Sequence, residues 1–294
     1  MPKVCELCPR RCGAERGMQP GRCHAPATLR VARAAAHFGE EPCISGIGGS
    51  GAVFFAGCPL GCCYCQNFEL SRARQGAEIT PERLSEIFAE LEDEGVHNIN
   101  LVTGTQYVPQ IIRALELHRP GVPVVWNSSG YERVETIRAL APYIDVWMPD
   151  FKYALRAPAE KYSRAPDYPQ VAMAAIGEMF RLAGPYQLDA DELLTRGVLL
   201  RHLVLPGNLP NTRAVIDWVS QSFAAGDILF SLMAQYTPMG EVGAFPELQR
   251  GLTEGEWDTV MDWLNDSPIA DGFVQELGAS GTEAIPAFDG TGVL

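Results

Sequence analysis

Cys58, Cys62 and Cys65 fall within one stretch, Cys58-Pro59-Leu60-Gly61-Cys62-Cys63-Tyr64-Cys65-Gln66-Asn67. Three thiolates spaced C-x3-C-x2-C in a Gly-containing loop cannot all pair as disulfides, but they can grip one compact inorganic centre. Iron–sulfur clusters are held by Cys thiolates, commonly four of them. Three ligands on a four-iron cluster leave one iron open, and an open iron binds a substrate instead of only passing electrons. A zinc knuckle or a group of packed free thiols is the plainer reading of the same residues.

A second group of cysteines opens the chain. Cys5-Glu6-Leu7-Cys8-Pro9-Arg10-Arg11-Cys12 is followed by a polar, Gly-containing loop and then by Gly21-Arg22-Cys23-His24. The spacing C-x2-C-x3-C-x10-C offers four thiolates, with His24 as a substitute for one. Tetrahedral zinc held by four Cys, or by three Cys and one His, fits, and so does an accessory iron–sulfur cluster. Plain thiols are the third reading. Residues 1–30 are too few and too polar to build a core of their own, so a metal staple is physically reasonable.

Composition narrows the class. The chain has 294 residues, 47% apolar and 20% charged, which suits one large soluble domain with a small appendage. We therefore expect a Cys-rich segment over 1–30 and a main domain over 31–294. A net charge of −13 argues against nucleic-acid phosphates or an anionic membrane as partners. The first residues, Met-Pro-Lys-Val-Cys, show no apolar signal region, and no apolar run is long enough to span a bilayer. Nine Cys then read as metal or redox ligands of a cytoplasmic protein, not as a secreted disulfide framework.

The elements that must position the thiols follow from periodicity. Ala52-Val53-Phe54-Phe55-Ala56 is a continuous apolar run, suited to a strand buried on both faces, and it leads directly into the cysteine loop. Thr80-Pro81-Glu82 opens a helix with an N-cap and Pro in its first turn. Leu84, Ile87, Phe88 and Leu91 form its apolar face, and Gly95 ends it. Further strands are expected over 98–103, 122–126, 143–148, 197–205 and 227–233. Helices are expected over 109–118, 132–140, 211–223 and 253–264. Strands alternating with helices imply right-handed βαβ units and a parallel sheet. Six units are fewer than the eight that close a barrel. The expected fold is α/β, an open partial (β/α)6 TIM-like barrel.

In such folds, function sits at the C-terminal strand ends. The polar residues expected there are Thr103-Gly104-Thr105-Gln106, Asn127-Ser128-Ser129-Gly130, Asp150-Phe151-Lys152 and Gln235-Tyr236. Side-chain alternation puts Asp150 and Lys152 on one face and aims Arg201 opposite to His202. His202 then points to the helix layer as a satisfied core imidazole. Strand-end caps explain Thr105, Ser128 or Ser129 singly. Asp150, Lys152 and Arg201 are different, because charge beside apolar strands is rarely buried without a task. Together these residues make a polar cup for a zwitterionic ligand. No Ser-His-Asp order, P-loop or HExxH is present.

The cysteine loop with Tyr64 and Asn67 resembles the signature of the radical S-adenosylmethionine (SAM) superfamily. Together with His37-Phe38-Gly39-Glu40-Glu41-Pro42, Asp150-Phe151-Lys152-Tyr153, Arg201-His202-Leu203-Val204-Leu205-Pro206-Gly207 and Met233-Ala234-Gln235-Tyr236, it resembles a branch related to pyruvate formate-lyase activating enzymes, the activases of glycyl-radical enzymes. The resemblance covers about residues 31–280, and the N-terminal cysteines look like that branch's leader. It implies a [4Fe-4S] cluster on Cys58, Cys62 and Cys65, with Tyr64 and Asn67 near the adenine and ribose of SAM. It places Thr103, Thr105, Asn127, Ser129, Asp150, Lys152 and Arg201 at the SAM or a nearby cation. It also implies an oxidoreductase, fed by a flavodoxin- or ferredoxin-type reductant. Such an enzyme cleaves SAM to a 5′-deoxyadenosyl radical that abstracts hydrogen, in an activase from a glycine of a partner enzyme. Two departures stand out. Thr103 to Gln106 replace the usual Gly-Gly-Glu-Pro and bring no carboxylate, and Gln235-Tyr236 stand where activases carry a His. A small molecule or peptide as substrate, and a non-enzymatic electron carrier or scaffold, are the alternative readings.

Overall fold

A chain of buried parallel strands carries the cysteine loop. The computed structural model describes residues 5–278 and 285–294. Residues 1–4 of the expected leader and 279–284 of the expected main domain lie outside the described residues. The strands are β1 (Leu29–His37), β2 (Ser50–Phe55), β3 (Ala77–Ile79), β4 (Ile99–Val102), β5 (Val124–Ser128), β6 (Val146–Pro149), β7 (Gln187–Leu188), β8 (Leu194–Leu203), β9 (Leu229–Met233) and β10 (Gly272–Val274). The helices are α1 (Pro42–Ser45), α2 (Phe68–Ser71), α3 (Pro81–Asp93), α4 (Val108–Leu117), α5 (Val134–Leu140), α6 (Arg156–Ser163), α7 (Tyr168–Ala183), α8 (Leu209–Ser222) and α9 (Glu254–Asn265).

The sheet order is β10-β9-β8-β6-β5-β4-β2-β1-β3, with β7 pairing β8. The six expected strands are β2, β4, β5, β6, β8 and β9, all parallel to their neighbours in that run. β2, β4, β5, β6 and β9 are buried at every residue, as strands covered on both faces must be. The sheet does not close, and the fold is an open partial barrel. Four strands extend it beyond the expected units: β10 adds in parallel to β9, while β1, β3 and β7 pair antiparallel.

Local chemistry explains the boundaries. Thr80 Oγ1 caps α3 by accepting from Arg83 N at 3.2 Å, and Leu84, Ile87, Phe88 and Leu91 are its buried face. Thr253 and Glu256 close a capping box at the start of α9. The main core lies between the strands and the outer helices, built around Phe55, Leu101, Trp126, Trp147, Ile176 and Phe230. A smaller apolar cluster plugs the barrel interior. There Cys43 and Ile44 of α1 pack against Val125, Val146, Met148, Leu199 and Leu229. The end of the chain lies along the open side: Ala34 N donates to Thr291 O at 2.9 Å, Gly290 N donates to Ala32 O at 3.0 Å, and Phe288 meets Phe54 edge-on. Among the described residues, no helix is long and apolar enough to cross a membrane.

His202 points into the helix layer, as its parity in β8 requires. Its Nδ1 lies 2.7 Å from Phe151 O and its Nε2 lies 3.0 Å from Thr212 Oγ1 in α8. A carbonyl only accepts, so Nδ1 carries the proton and Nε2 accepts from the hydroxyl. Burial pulls this ring from its ordinary pKa of 6.5 down to about 4. Between those values the unfolded chain binds the proton and the folded chain does not. Stability is therefore fully present above about pH 6.5 and falls as the pH drops toward 4, by up to about 3 kcal/mol. Urea midpoints of wild type and His202→Gln across pH 7.5 to 4.5 check this. The variant should lose less stability on acidification, and parallel curves would contradict the assignment.

Candidate functional site

β2 delivers the chain into an irregular loop, and its backbone is tied on three sides. Gly57 reverses direction with φ +87°, and a Cβ there would lie 2.6 Å from Cys23 O. That space is used: Cys58 N donates to Cys23 O at 3.1 Å. Gln106 Nε2 donates to Ala56 O, Gly57 O and Thr103 O at 3.1, 3.0 and 2.7 Å. Arg10 reaches across from the N-terminal segment to Pro59 O at 3.0 Å and Leu60 O at 3.1 Å, and also to Ser163 O at 2.8 Å. On the far side Cys63 N donates to Tyr162 O at 2.9 Å.

Cys58, Cys62 and Cys65 all line one cavity of about 1400 Å³, counting its open mouth. Tyr64, Asn67, Thr103, Asn127, Ser129, Asp150, Lys152 and Arg201 line it too. Tyr64 is locked by edge-on contacts to Tyr153, Tyr162 and Tyr236, with centroids 6.4, 6.2 and 6.1 Å away. Thr105 stands apart: it is buried and donates to Glu132 Oε1 at 2.6 Å. Cys5, Cys8, Cys12 and Cys23 belong to the docked segment behind the loop, not to the cavity wall.

The charged residues form one chain. Lys152 Nζ meets Asp150 Oδ2 at 2.7 Å, and Arg201 Nε meets Asp150 Oδ1 at 3.0 Å. Arg201 Nη1 and Nη2 continue to Glu40 Oε2 and Asn127 Oδ1, both at 2.7 Å. Glu40 Oε1 then accepts from Asn127 at 3.1 Å and Asn100 at 3.2 Å. Desolvated charges persist when each has a partner. Burial pushes the Asp150 carboxyl up, but Arg201 and Lys152 hold it below the usual carboxylate range. Burial works against charge on Lys152 and Arg201, and the neighbouring carboxylates more than restore it. Burial raises Glu41, next to Arg201, which favours its neutral acid.

Several of these residues were not legible as site residues. Glu40 lines the cavity from the connection leading into α1, and His37 lines it from the last residue of β1, a strand outside the six expected units. Ser163 acts on the cysteine loop from α6, through Cys62, whereas Gln106, which was expected at a strand end, acts on the same loop through its carbonyls. Thr103 has φ +60°, an outlier for a β-branched residue, of the kind that clusters at functional sites.

The donors fit an iron–sulfur cluster with SAM. Three thiols share one wall, and burial pushes Cys58 up to about 11 and Cys65 up to about 12, so metal binding has to displace their protons. The buried Oδ1 of Asn67 has no partner within the protein, which leaves it for a ligand. Among the described residues, no three ligand side chains close around a single-ion point.

Residues 52–179 match the family model of the radical SAM superfamily. Over that stretch the chain is similar to the radical SAM superfamily. An uncharacterised protein of Methanocaldococcus jannaschii is 27% identical over 270 residues, spanning 88% of this chain and 74% of that one. Among solved structures, Streptococcus suis SuiB bound to S-adenosylmethionine superposes with a TM-score of 0.50 at 12% identity, covering 74% of this chain. SuiB bound to its precursor peptide SuiA gives 0.50 at 13%. The chain spans about half the length of these SuiB structures, 46% to 48%. This likeness extends the shared fold beyond the matched stretch. A domain of a Bacteroides vulgatus pyruvate-formate lyase-activating enzyme gives 0.36 at 11% identity, covering 67% of this chain and 91% of that domain.

Ser163 Oγ donates to Cys62 Sγ at 3.1 Å and is itself 2.9 Å from the Tyr153 hydroxyl. Hydrogen bonds to ligand sulfurs stabilise the reduced, more negative cluster and raise its potential. One neutral hydrogen bond contributes about 1 kcal/mol, or roughly 40 mV for a one-electron couple. Spectroelectrochemical titration of reconstituted Ser163→Ala should show a potential lower by about that amount. An unchanged or higher value would contradict the assignment.

Proposed function

We propose that this protein is a radical SAM enzyme that cleaves SAM reductively and passes the radical to a peptide or protein segment. One observation carries the reading: the three spaced thiols and the buried chain of charges line the same cavity. When bound, a reduced [4Fe-4S] cluster with SAM supplies a 5′-deoxyadenosyl radical, with methionine as the other fragment. Cys58, Cys62 and Cys65 hold that cluster and leave one iron for SAM. Tyr64 and Asn67 border the adenine and ribose, and Thr103, Asn127 and Ser129 offer polar edges to the rest.

Lys152 and Arg201 pair with the SAM carboxylate. Among the described residues, Glu40 and Asp150 are the carboxylates lining the cavity for its amino group, since the turn after β4 supplies none. The stretch from Ile285 to Val293 shields the open side, with Ile285 and Pro286 on the cavity and Val293 fully buried. Shielding on that side helps to keep water from a reactive radical. A peptide or protein substrate is supported by the activase-like motifs and by the shared fold of a structure solved with a precursor peptide.

Anaerobically reconstituted protein incubated with SAM and dithionite should release 5′-deoxyadenosine and methionine, and Cys62→Ala should release neither. Lys152→Gln should keep its iron and bind SAM about tenfold more weakly or worse, as expected for a lost charge-assisted hydrogen bond. Cluster-replete protein that never yields 5′-deoxyadenosine would overturn the proposal.

A further inference from the structure

The N-terminal cysteines form a second concentration of thiols, outside the cavity. Cys8 and Cys23 are buried, Cys5 is half-buried and Cys12 is exposed. All four are free thiols. They are close enough to repel one another if ionised: Cys8 feels Cys23 and Cys5, and Cys23 feels Cys5 and Cys12. Gly21 keeps the space between two of them open. A Cβ there would lie 3.0 Å from Cys12 Sγ and 3.8 Å from Cys23 Sγ. Turns at Arg11 and His24, both at positive φ, flank this space.

The surrounding segment has little else to hold it. Its buried apolar residues ahead of β1 are Cys8, Ala14, Cys23 and Ala25, too few to bury much apolar surface. Yet its position is well defined, because it supplies the Cys23 carbonyl to Cys58 N and the Arg10 guanidinium to Pro59 O and Leu60 O. Four thiols without a core, attached to a loop that must be held still, are the setting in which a metal replaces a core. We propose that Cys5, Cys8, Cys12 and Cys23 hold a second, thiolate-bound metal centre that braces the Cys58 loop. No three of these thiols converge on a single-ion point, so the segment tightens on binding or the centre is wider than one ion. The proposal does not depend on what the Cys58 loop itself binds.

The test uses full-length protein purified anaerobically, with zinc, iron and sulfide measured per chain. In Cys58→Ser/Cys62→Ser only the N-terminal centre can remain. About one zinc, or about four iron with matching sulfide, retained there and lost when Cys5→Ser/Cys8→Ser is added, supports the centre and identifies it. No retained metal, or two disulfides among the four residues, overturns it. Folding of the variants is followed separately by limited trypsin digestion. Chelating the metal from Cys58→Ser/Cys62→Ser should speed cleavage after Arg10, Arg11 or Arg16 at least severalfold and leave the remaining sites protected. Unchanged cleavage would remove the bracing role.

Discussion

The Cys58 to Cys65 loop contains no helix or strand, so its thiols are aimed only by whatever its backbone is tied to. Everything else in the site depends on those ties. The Cys23 carbonyl and Arg10 hold it from the N-terminal segment, Gln106 from the turn after β4, and Tyr162 from α6. Each bond is modest, of the order of 1 kcal/mol. Their effect is to fix position, and a displacement of about 1 Å at a reacting centre can cost about a hundredfold in rate. Gly57 is required here for a specific reason: any side chain would strike the Cys23 carbonyl and break the first of these ties.

The buried charges obey the same logic at the opposite wall. Arg201 reaches Asp150, Glu40 and Asn127 at once, and Lys152 completes the chain. A planar guanidinium serves here where a lysine would not, because its fixed fork meets three acceptors in one plane. Removing Arg201 would leave the desolvated Glu40 carboxylate without its cation. The network is therefore a rigid, pre-charged surface facing the thiols.

Much of this was readable beforehand, for physical reasons that can be traced. β2 announced itself as a continuous apolar run, the other parallel strands by their alternation with helices, and α3 by its cap and its 3.6-residue stripe. The cysteine spacing and the parity of Asp150, Lys152, Arg201 and His202 also carried through to the fold. What stayed hidden depended on tertiary context. β1 reads Leu-Arg-Val-Ala-Arg-Ala-Ala-Ala-His, and alanine has little strand preference, so pairing with β2 and β3 decides its state. α7 begins just after Pro166, with Pro169 in its first turn, in a stretch that sequence periodicity left blank. Glu40 enters from a connection instead of a strand end, and Ser163 matters only because α6 lays it against Cys62. Thr105 shows the reverse: a strand-end position does not guarantee a cavity wall, since the turn directs it to Glu132.

The central claim is that Cys58, Cys62 and Cys65 hold a cluster with one iron left for SAM. Electron paramagnetic resonance of the anaerobically reconstituted, dithionite-reduced protein tests it directly, with and without SAM. The Cys5→Ser/Cys8→Ser variant isolates the signal of this loop. The account predicts a reduced [4Fe-4S] spectrum whose g-values shift on adding SAM, and no such spectrum when Cys62→Ala is added. A cluster indifferent to SAM, or a signal that survives loss of Cys62, would contradict it.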